Sequence, residues 1–485
     1  MKYIIIFVFF CQIIQAQDFT LFSTEISFPN NNLVCRATLP IENGILAVGI
    51  YNTVGYKAIF LAKTSYSGEM LWIKILDDDS TVGNIVTGAA FIPTDDGHFA
   101  IIYSKYKTIA KEDKDVVLMK FMGDGTVLWT QSYGEAGDEA PLHLMKTSDG
   151  GYLITGFQEV LNDDVYYYVI KTQEGGFKLW DKRYKWNGYS YGAWAAESPN
   201  GGYLISGFAA TSPAYEDTDV YIIRIDEEGE KIWGKNYGSI EFDGAAIIQV
   251  NRKNNFIFSS SIRENGVKKN YHVEIDDSGS IVWEKIYDID GLHPIQTEFI
   301  IREDNSFMGV AFIENEHNHY QPLLMNFSSR GDTLWTKRIT FDPHSDIYIR
   351  DIEPIEGGYV LAGFKHFPLP QHGWLVTIDE EGNFCEELGC VETVVDIEDV
   401  VIGGREVFVQ ISPNPVRGQA TIEYQIPKDG VLKVYDYQGR EVGDWRLDSN
   451  DKTLTLEVED WVSGVYLYSV EIGEERVEGG KLIVE

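Results

Sequence analysis

One eight-residue phrase recurs along this chain. Gly150-Gly-Tyr-Leu-Ile-Thr-Gly-Phe157 returns as Gly201-Gly-Tyr-Leu-Ile-Ser-Gly-Phe208 and as Gly357-Gly-Tyr-Val-Leu-Ala-Gly-Phe364. Weaker copies run Asn43–Gly49, Gly97–Tyr103, Asn255–Ser260 and Asn305–Val310. The anchor residues are Ile45, Phe99, Tyr152, Tyr203, Phe256, Phe307 and Tyr359, spaced by 54, 53, 51, 53, 51 and 52 residues. A regular period of this length is the mark of a repeat architecture, in which each unit buries its faces only against its neighbours.

A second signature, Gly-x-x-x-Trp, runs in step with the first. It appears at Gly68/Trp72, Gly125/Trp129, Gly176/Trp180, Gly229/Trp233, Gly279/Trp283 and Gly331/Trp335. The seventh glycine, Gly382, has Glu386 where the tryptophan should stand, so the last unit lacks its final strand. Each Trp precedes the next anchor by 23, 24 or once 27 residues, and counting back 23 from Ile45 reaches Phe22. The missing strand is therefore expected at the other end of the chain. In the third unit four apolar stretches fall near 139–147, 150–157, 164–172 and 178–184, parted by the turn pairs Asp149-Gly150 and Gly175-Gly176. Glycine supplies positive φ in such turns without a Cβ clash.

Four antiparallel strands per unit, repeated in series, predict the blades of an all-β propeller. Residues 17–390 resemble a seven-bladed β-propeller in the kelch-like style, on the order of the Trp-bearing and Gly-Gly-Tyr strands. The resemblance implies four-stranded antiparallel blades, with the N-terminal strand closing the last one. The tryptophans Trp72, Trp129, Trp180, Trp233, Trp283 and Trp335 are expected to pack between blades.

The two ends of the chain read as addresses. Lys2, the apolar run Tyr3–Cys11 and the small Ala16 describe a secretory signal peptide over 1–16, cleaved between Ala16 and Gln17. The run falls short of the roughly 20 apolar residues a membrane helix needs, and no later stretch reaches that length. Residues 391–408 carry no repeat and read as a linker. From 409 to 485 a half-dozen short alternating segments predict a small β-sandwich. This stretch resembles the type A C-terminal sorting domain of type IX secretion cargo. The matching residues are Pro413-Asn414-Pro415, the Asp436/Gly439 turn, Gly464-Val-Tyr466 and Lys481-Leu482 with the Ile-Val that follows. The resemblance implies handling by the type IX machinery and its sorting protease, delivery to the outer-membrane surface or beyond, and removal of the domain.

Composition narrows the partners. Acidic residues outnumber basic ones 75 to 40, for a formal charge of −35. Nucleic acid and anionic membrane surfaces reward Lys and Arg, so neither is an expected partner. Export leaves Cys35, Cys385 and Cys390; the last two lie close enough in sequence to form a disulfide, and their spacing matches no common zinc pattern.

Chemistry is less visible. The connection Tyr184–Trp194 is rich in aromatic residues, and Trp186, Tyr189, Tyr191 and Trp194 are candidate contacts for sugar rings. Glu135, Asp138, Glu139, Glu241 and Asp243 lie in flanking loops. His317, His319, His366 and His372 fall in adjacent units, but polar loop roles are the expectation and no metal is assigned. Asp77-Asp-Asp79 offers oxygens to calcium without the twelve-residue loop pattern, so no cofactor is expected. No Gly-x-Ser-x-Gly elbow, His-Glu-x-x-His or Walker loop occurs. The sequence thus points to a non-enzymatic glycan- or protein-binding module, with a propeller-fold polysaccharide hydrolase or lyase as the alternative.

Overall fold

A computed structural model describes residues 21–484 except 27–31, 54–55, 78–89, 108–112, 135–136, 161–163, 187–188, 211–217, 240, 242, 289–294, 341–342, 367–370, 385–390, 395–397, 401–407, 413–415, 427, 437–439, 460 and 473–474. The signal cleavage pair Ala16/Gln17 and the cysteines Cys385 and Cys390 lie outside the described residues, as do Pro413, Asn414, Pro415 and Gly439.

The chain is all-β, and its strands fall into four-stranded antiparallel units. Unit one holds Asn32–Ile41, Gly44–Thr53, Tyr56–Thr64 and Met70–Asp77. Unit two holds Ala90–Pro93, Phe99–Tyr106, Lys114–Phe121 and Val127–Tyr133. Unit three holds Asp138–Lys146, Tyr152–Val160, Asp164–Thr172 and Lys178–Tyr184. Units four and five begin at Tyr189–Glu197 and Ile247–Val250, unit six at Ile295–Ile301 and unit seven at Asp346–Ile355. In every unit the strand carrying the repeat anchor is second, and in units one to six the strand carrying the signature Trp is fourth.

The turns explain why the phrase recurs. In unit three Gly150 N donates to Thr147 O and Thr147 N to Gly151 O, closing a short loop with Gly150 at φ 84°. Units five and six carry Asn254 and Asn305 at the same place, at φ 63° and 65°. Asparagine is the side-chain-bearing residue best suited to the left-handed region, so the turn survives where the glycine is lost.

Unit seven supplies three strands, Asp346–Ile355, Gly358–His366 and His372–Asp379, and the N-terminal strand Ser23–Ile26 supplies the fourth. It pairs antiparallel with the third strand, Ser23 opposite Val376 and Ile26 opposite Gly373. Phe22 N donates to Thr377 Oγ1 at 2.7 Å, and Trp374 Nε1 donates to Ser23 Oγ at 2.8 Å. The first strand of each unit touches the first strand of the next, and that of unit seven touches that of unit one. The contacts therefore close on themselves, an arrangement consistent with a β-propeller.

Neighbouring units are joined by the second signature. The glycine in the turn before each fourth strand has positive φ and faces the ring of the preceding unit: Gly176 faces Trp129, Gly229 Trp180, Gly279 Trp233, Gly331 Trp283 and Gly382 Trp335. Gly68 faces Phe22 in the same way, so Phe22 stands where the seventh Trp would. Gly125 departs from the pattern and faces Lys74 and Leu76. A tyrosine four residues beyond the Trp adds a bond: Tyr184 Oη donates to Gly229 O at 2.6 Å and Tyr237 Oη to Gly279 O at 2.8 Å.

The C-terminal region folds as two sheets, one of Phe408–Ser412, Gln419–Gln425 and Thr453–Glu457, the other of Gly430–Tyr435, Glu441–Leu447, Gly464–Ile472 and Glu475–Val484. Among the described residues its core, including Ile422, Leu432, Val470 and Leu482, begins at Ile411. Within the stretch read as linker, Val391–Val394 and Glu398–Val400 pair with the outer strands of units six and five. Those pairings satisfy backbone groups that an edge strand leaves open. Among the described residues, no helix is long and apolar enough to cross a membrane.

Candidate functional site

The aromatic residues singled out in the sequence cluster around the first strand of unit four. Tyr191 lies between Phe157, with ring centroids 4.7 Å apart, and Phe208, stacked at 5.0 Å. Trp194 lies 6.1 Å from the His143 ring. Trp186 precedes the strand, stacked 5.9 Å from Tyr221, and its N–H donates to Ser190 Oγ at 3.1 Å. Tyr189 opens the strand opposite Ala210. All four are half-buried.

The acids named beside them are dispersed and individually engaged. Asp138 pairs with Lys114 at 2.6 Å, and Glu241 accepts from the Asn265 and Gly266 N–H groups at 3.0 Å. Glu139 is buried and accepts from Gln158, Asp243 accepts from Ser239, and Glu135 lies outside the described residues. The histidines also find separate partners: His319 meets Asp346 at 3.2 Å, His372 meets Glu25 at 2.7 Å, and His317 lies 4.7 Å from the His344 ring. Among the described residues no group of three His, Cys, Asp or Glu is placed to hold a metal ion. Cys35 is buried, and burial pushes its thiol up to about 12, where it is unreactive.

A different set converges at the centre of the ring. The first strands of five units carry a β-bulge at one common place, at Arg36, Leu142, Ala193, Thr297 and Arg350. A bulge turns the next residue and re-aims its side chain. The residues that follow are Ala37, His143, Trp194, Glu298 and Asp351, each opposite the residue three beyond its anchor. Two positions on, facing the same way, stand Gln249 in unit five and Glu353 in unit seven.

Three carboxyl groups thus gather on units six and seven. Burial, joined by the Asp351 charge, raises Glu298 to about 8. The Trp194 and Gln249 side chains hydrogen-bond to Glu298 and partly offset that rise, and Phe299 N donates to it at 3.1 Å. Burial holds Asp351 above the ordinary carboxylate range although Thr38 N donates to it at 2.6 Å across the seam between units seven and one. Glu353 is raised by burial, then by the charges of Asp351 and Glu298. Burial lowers His143 to about 4, so its imidazole is neutral, with Nδ1 accepting from Ala195 N at 3.3 Å. The group offers protonated carboxyls as donors near neutral pH, beside the Trp194 indole.

Sequence reasoning missed Glu298, Asp351, Glu353, His143, Arg36 and Arg350. The signal was present: each is a charged or polar side chain set among the apolar residues of a unit's first strand. It emerges only when the first strands are aligned through their hairpin partners, because the bulges and unequal turns blur the residue count.

The sorting residues within the described set lie together. Asp436 accepts from Arg440 N at 3.0 Å in a turn, and Tyr466 is buried with its hydroxyl donating to Val462 O at 2.8 Å. Leu482 is buried opposite Tyr466, Lys481 pairs in register with Leu467, and Gly464 opens the strand opposite Val484.

Comparison with known proteins identifies this last region. Residues 410–485 match the secretion system C-terminal sorting domain family. The chain is therefore delivered by type IX secretion across the outer membrane to the surface or the medium. No curated protein matches the chain. Among solved structures, a protein of unknown function from Dyadobacter fermentans is 14% identical, covering 61% of this chain and 96% of its own, with a TM-score of 0.40. A puromycin hydrolase is 12% identical over 81% of this chain and 58% of its own, at 0.46. A family 25 polysaccharide lyase, an ulvan lyase, is 10% identical over 73% of this chain and 95% of its own, also at 0.46.

Proposed function

We propose that residues 17–390 form a closed seven-bladed β-propeller that works at the bacterial surface as a non-enzymatic binding module for a glycan or a protein. Residues 1–16 are removed on export. Residues 409–485 act as a type A sorting domain that the sorting protease removes, and Cys385 and Cys390 close a small loop ahead of the linker. The observation that carries the binding reading is the meeting of half-buried aromatic rings and polar groups on the first strands. Trp194 offers an apolar face to a sugar ring, with Tyr191 packed between Phe157 and Phe208 on the same strand and Trp186 and Tyr189 at the entry to it. Glu298, Asp351 and Gln249 offer hydrogen bonds to its hydroxyls.

A second reading has its own support. A propeller-fold polysaccharide hydrolase needs a carboxyl that stays protonated near neutral pH, and Glu298, buried beside the Asp351 charge, suits that role, while a lyase would draw its base from the same cluster. Retention of the purified protein on insoluble and immobilised polysaccharides tests the binding module. Release of reducing ends or unsaturated sugars, abolished in Glu298→Gln, would shift the assignment to an enzyme. Blank results across broad glycan and surface-protein panels would sink both.

A further inference from the structure

At the seam where the ring closes, the bulge residues of both adjoining first strands are arginines. Arg36 interrupts the pairing between Cys35 and Ala37, and Arg350 interrupts it between Ile349 and Asp351. The Thr38 N–H to Asp351 bond at 2.6 Å fixes the two strands side by side, so the bulges stand at matching heights. The Nε atom of each arginine is shut off from water and has no hydrogen-bond partner among the described residues. The guanidinium of Arg350 lies over the rings of Tyr348 and Phe364, at 5.8 and 5.7 Å, which holds its plane. Tyr348 and Phe364 stack at 4.8 Å, so that support is itself packed.

Two like charges held together and half-buried destabilise one another. Burial, with the charge of Arg350, brings Arg36 down to about 10. A buried donor without a partner costs free energy that a bound acceptor removes. The carboxyl groups of units six and seven do not fill that role, because Glu298, Asp351 and Glu353 are themselves held toward the neutral form and, among the described residues, no carboxyl charge acts on either arginine. Guanidinium groups are planar forks matched to the paired oxygens of carboxylates and sulfates.

We infer that Arg36 and Arg350 form an oxyanion-binding subsite at the seam between units seven and one, taking the carboxylate or sulfate ester of an acidic sugar. The acidic-sugar part rests on the glycan reading above; the oxyanion part does not. A sugar ring would lie toward the aromatic side of the centre, with its charged substituent on the arginines.

The test uses the full chain without its signal peptide. Sodium sulfate and sodium glucuronate are titrated calorimetrically at constant ionic strength, with glucose as the neutral control. Saturable binding of one anion per chain is expected, weakened about tenfold or more in Arg36→Gln and Arg350→Gln, the size of loss a charged hydrogen bond implies. The pair Arg36→Lys and Arg350→Lys should retain binding within a few-fold and guards against loss through misfolding. Preference between sulfate and glucuronate identifies the group recognised. No saturable binding to the parent protein, or equal binding by the parent and the glutamine variants, overturns the subsite. Retention on acidic polysaccharides that is unaltered in both Arg36→Gln and Arg350→Gln keeps the glycan reading and removes the subsite. Arginine-dependent anion binding without retention on any polysaccharide does the reverse.

Discussion

At the scale of single residues, the centre of the ring sets the pH response. Glu298, Asp351 and Glu353 are raised above their unfolded values, so the folded chain binds more protons than the unfolded one from about pH 4 upward. Their effect is to lower stability as pH rises, until the pH passes the folded value, about 8 for Glu298. Asp96 and Asp149 act oppositely: their bonds to Lys120 and Lys171 hold them down to about 2, and the stability they add is lost as pH falls through that range. The groups that act on the three acids are their own mutual charges, the Trp194 and Gln249 side chains on Glu298, and the backbone N–H groups of Phe299, Thr38 and Ile352. Urea unfolding should show stability falling between pH 6 and 9, and Glu353→Gln should flatten that limb by on the order of 1 kcal/mol, after allowing for water at a half-buried site. Wild-type stability that stays level or rises across this window would remove the argument.

At the scale of elements, the decisive contact is between the ends of the chain. Phe22 is 6% exposed and does for Gly68 what the tryptophans do for the other turn glycines. The Gly-x-x-x-Trp signature was legible in the sequence, and so was the need for Phe22. The sequence did not show that five of the six indoles pack on the glycine of the following unit rather than their own, because that contact crosses about fifty residues. Phe22→Ala should cost about 3–5 kcal/mol. Deleting residues 17–26 should cost more, because it also exposes the edge of the third strand of unit seven. Thermal unfolding measures both, and an unchanged midpoint after the deletion would show that the ring does not depend on this strand. Gly331 gives a control within the same signature: a Cβ there would fall 2.7 Å from Trp283, at a φ of 79° that disfavours side chains.

At the scale of the molecule, the C-terminal region has a core of its own. Separate cores unfold as separate units, so calorimetry of the full chain should give two transitions. Removing 409–485 should abolish the smaller and leave the larger in place. Loss of the larger transition on truncation would mean the two regions stabilise one another. In cells the same truncation should hold the protein in the periplasm, and normal surface display would contradict the role of the sorting domain.

The amino-acid order alone settled what is local. A turn needs Gly or Asn where φ is positive, a strand shows its face every second residue, and a sorting domain carries its motifs within a short span. From these followed the repeating unit, the strand supplied by the N-terminus and the export route. Tertiary structure decided what meets at the centre. Arg36 and Arg350 are more than 300 positions apart, as are Thr38 and Asp351. Ring closure sets them side by side, and bulges fix where their strands turn. Neither effect can be read from residue spacing, because closure joins strands from opposite ends of the chain and each bulge inserts a residue that puts the count and the alternation out of step.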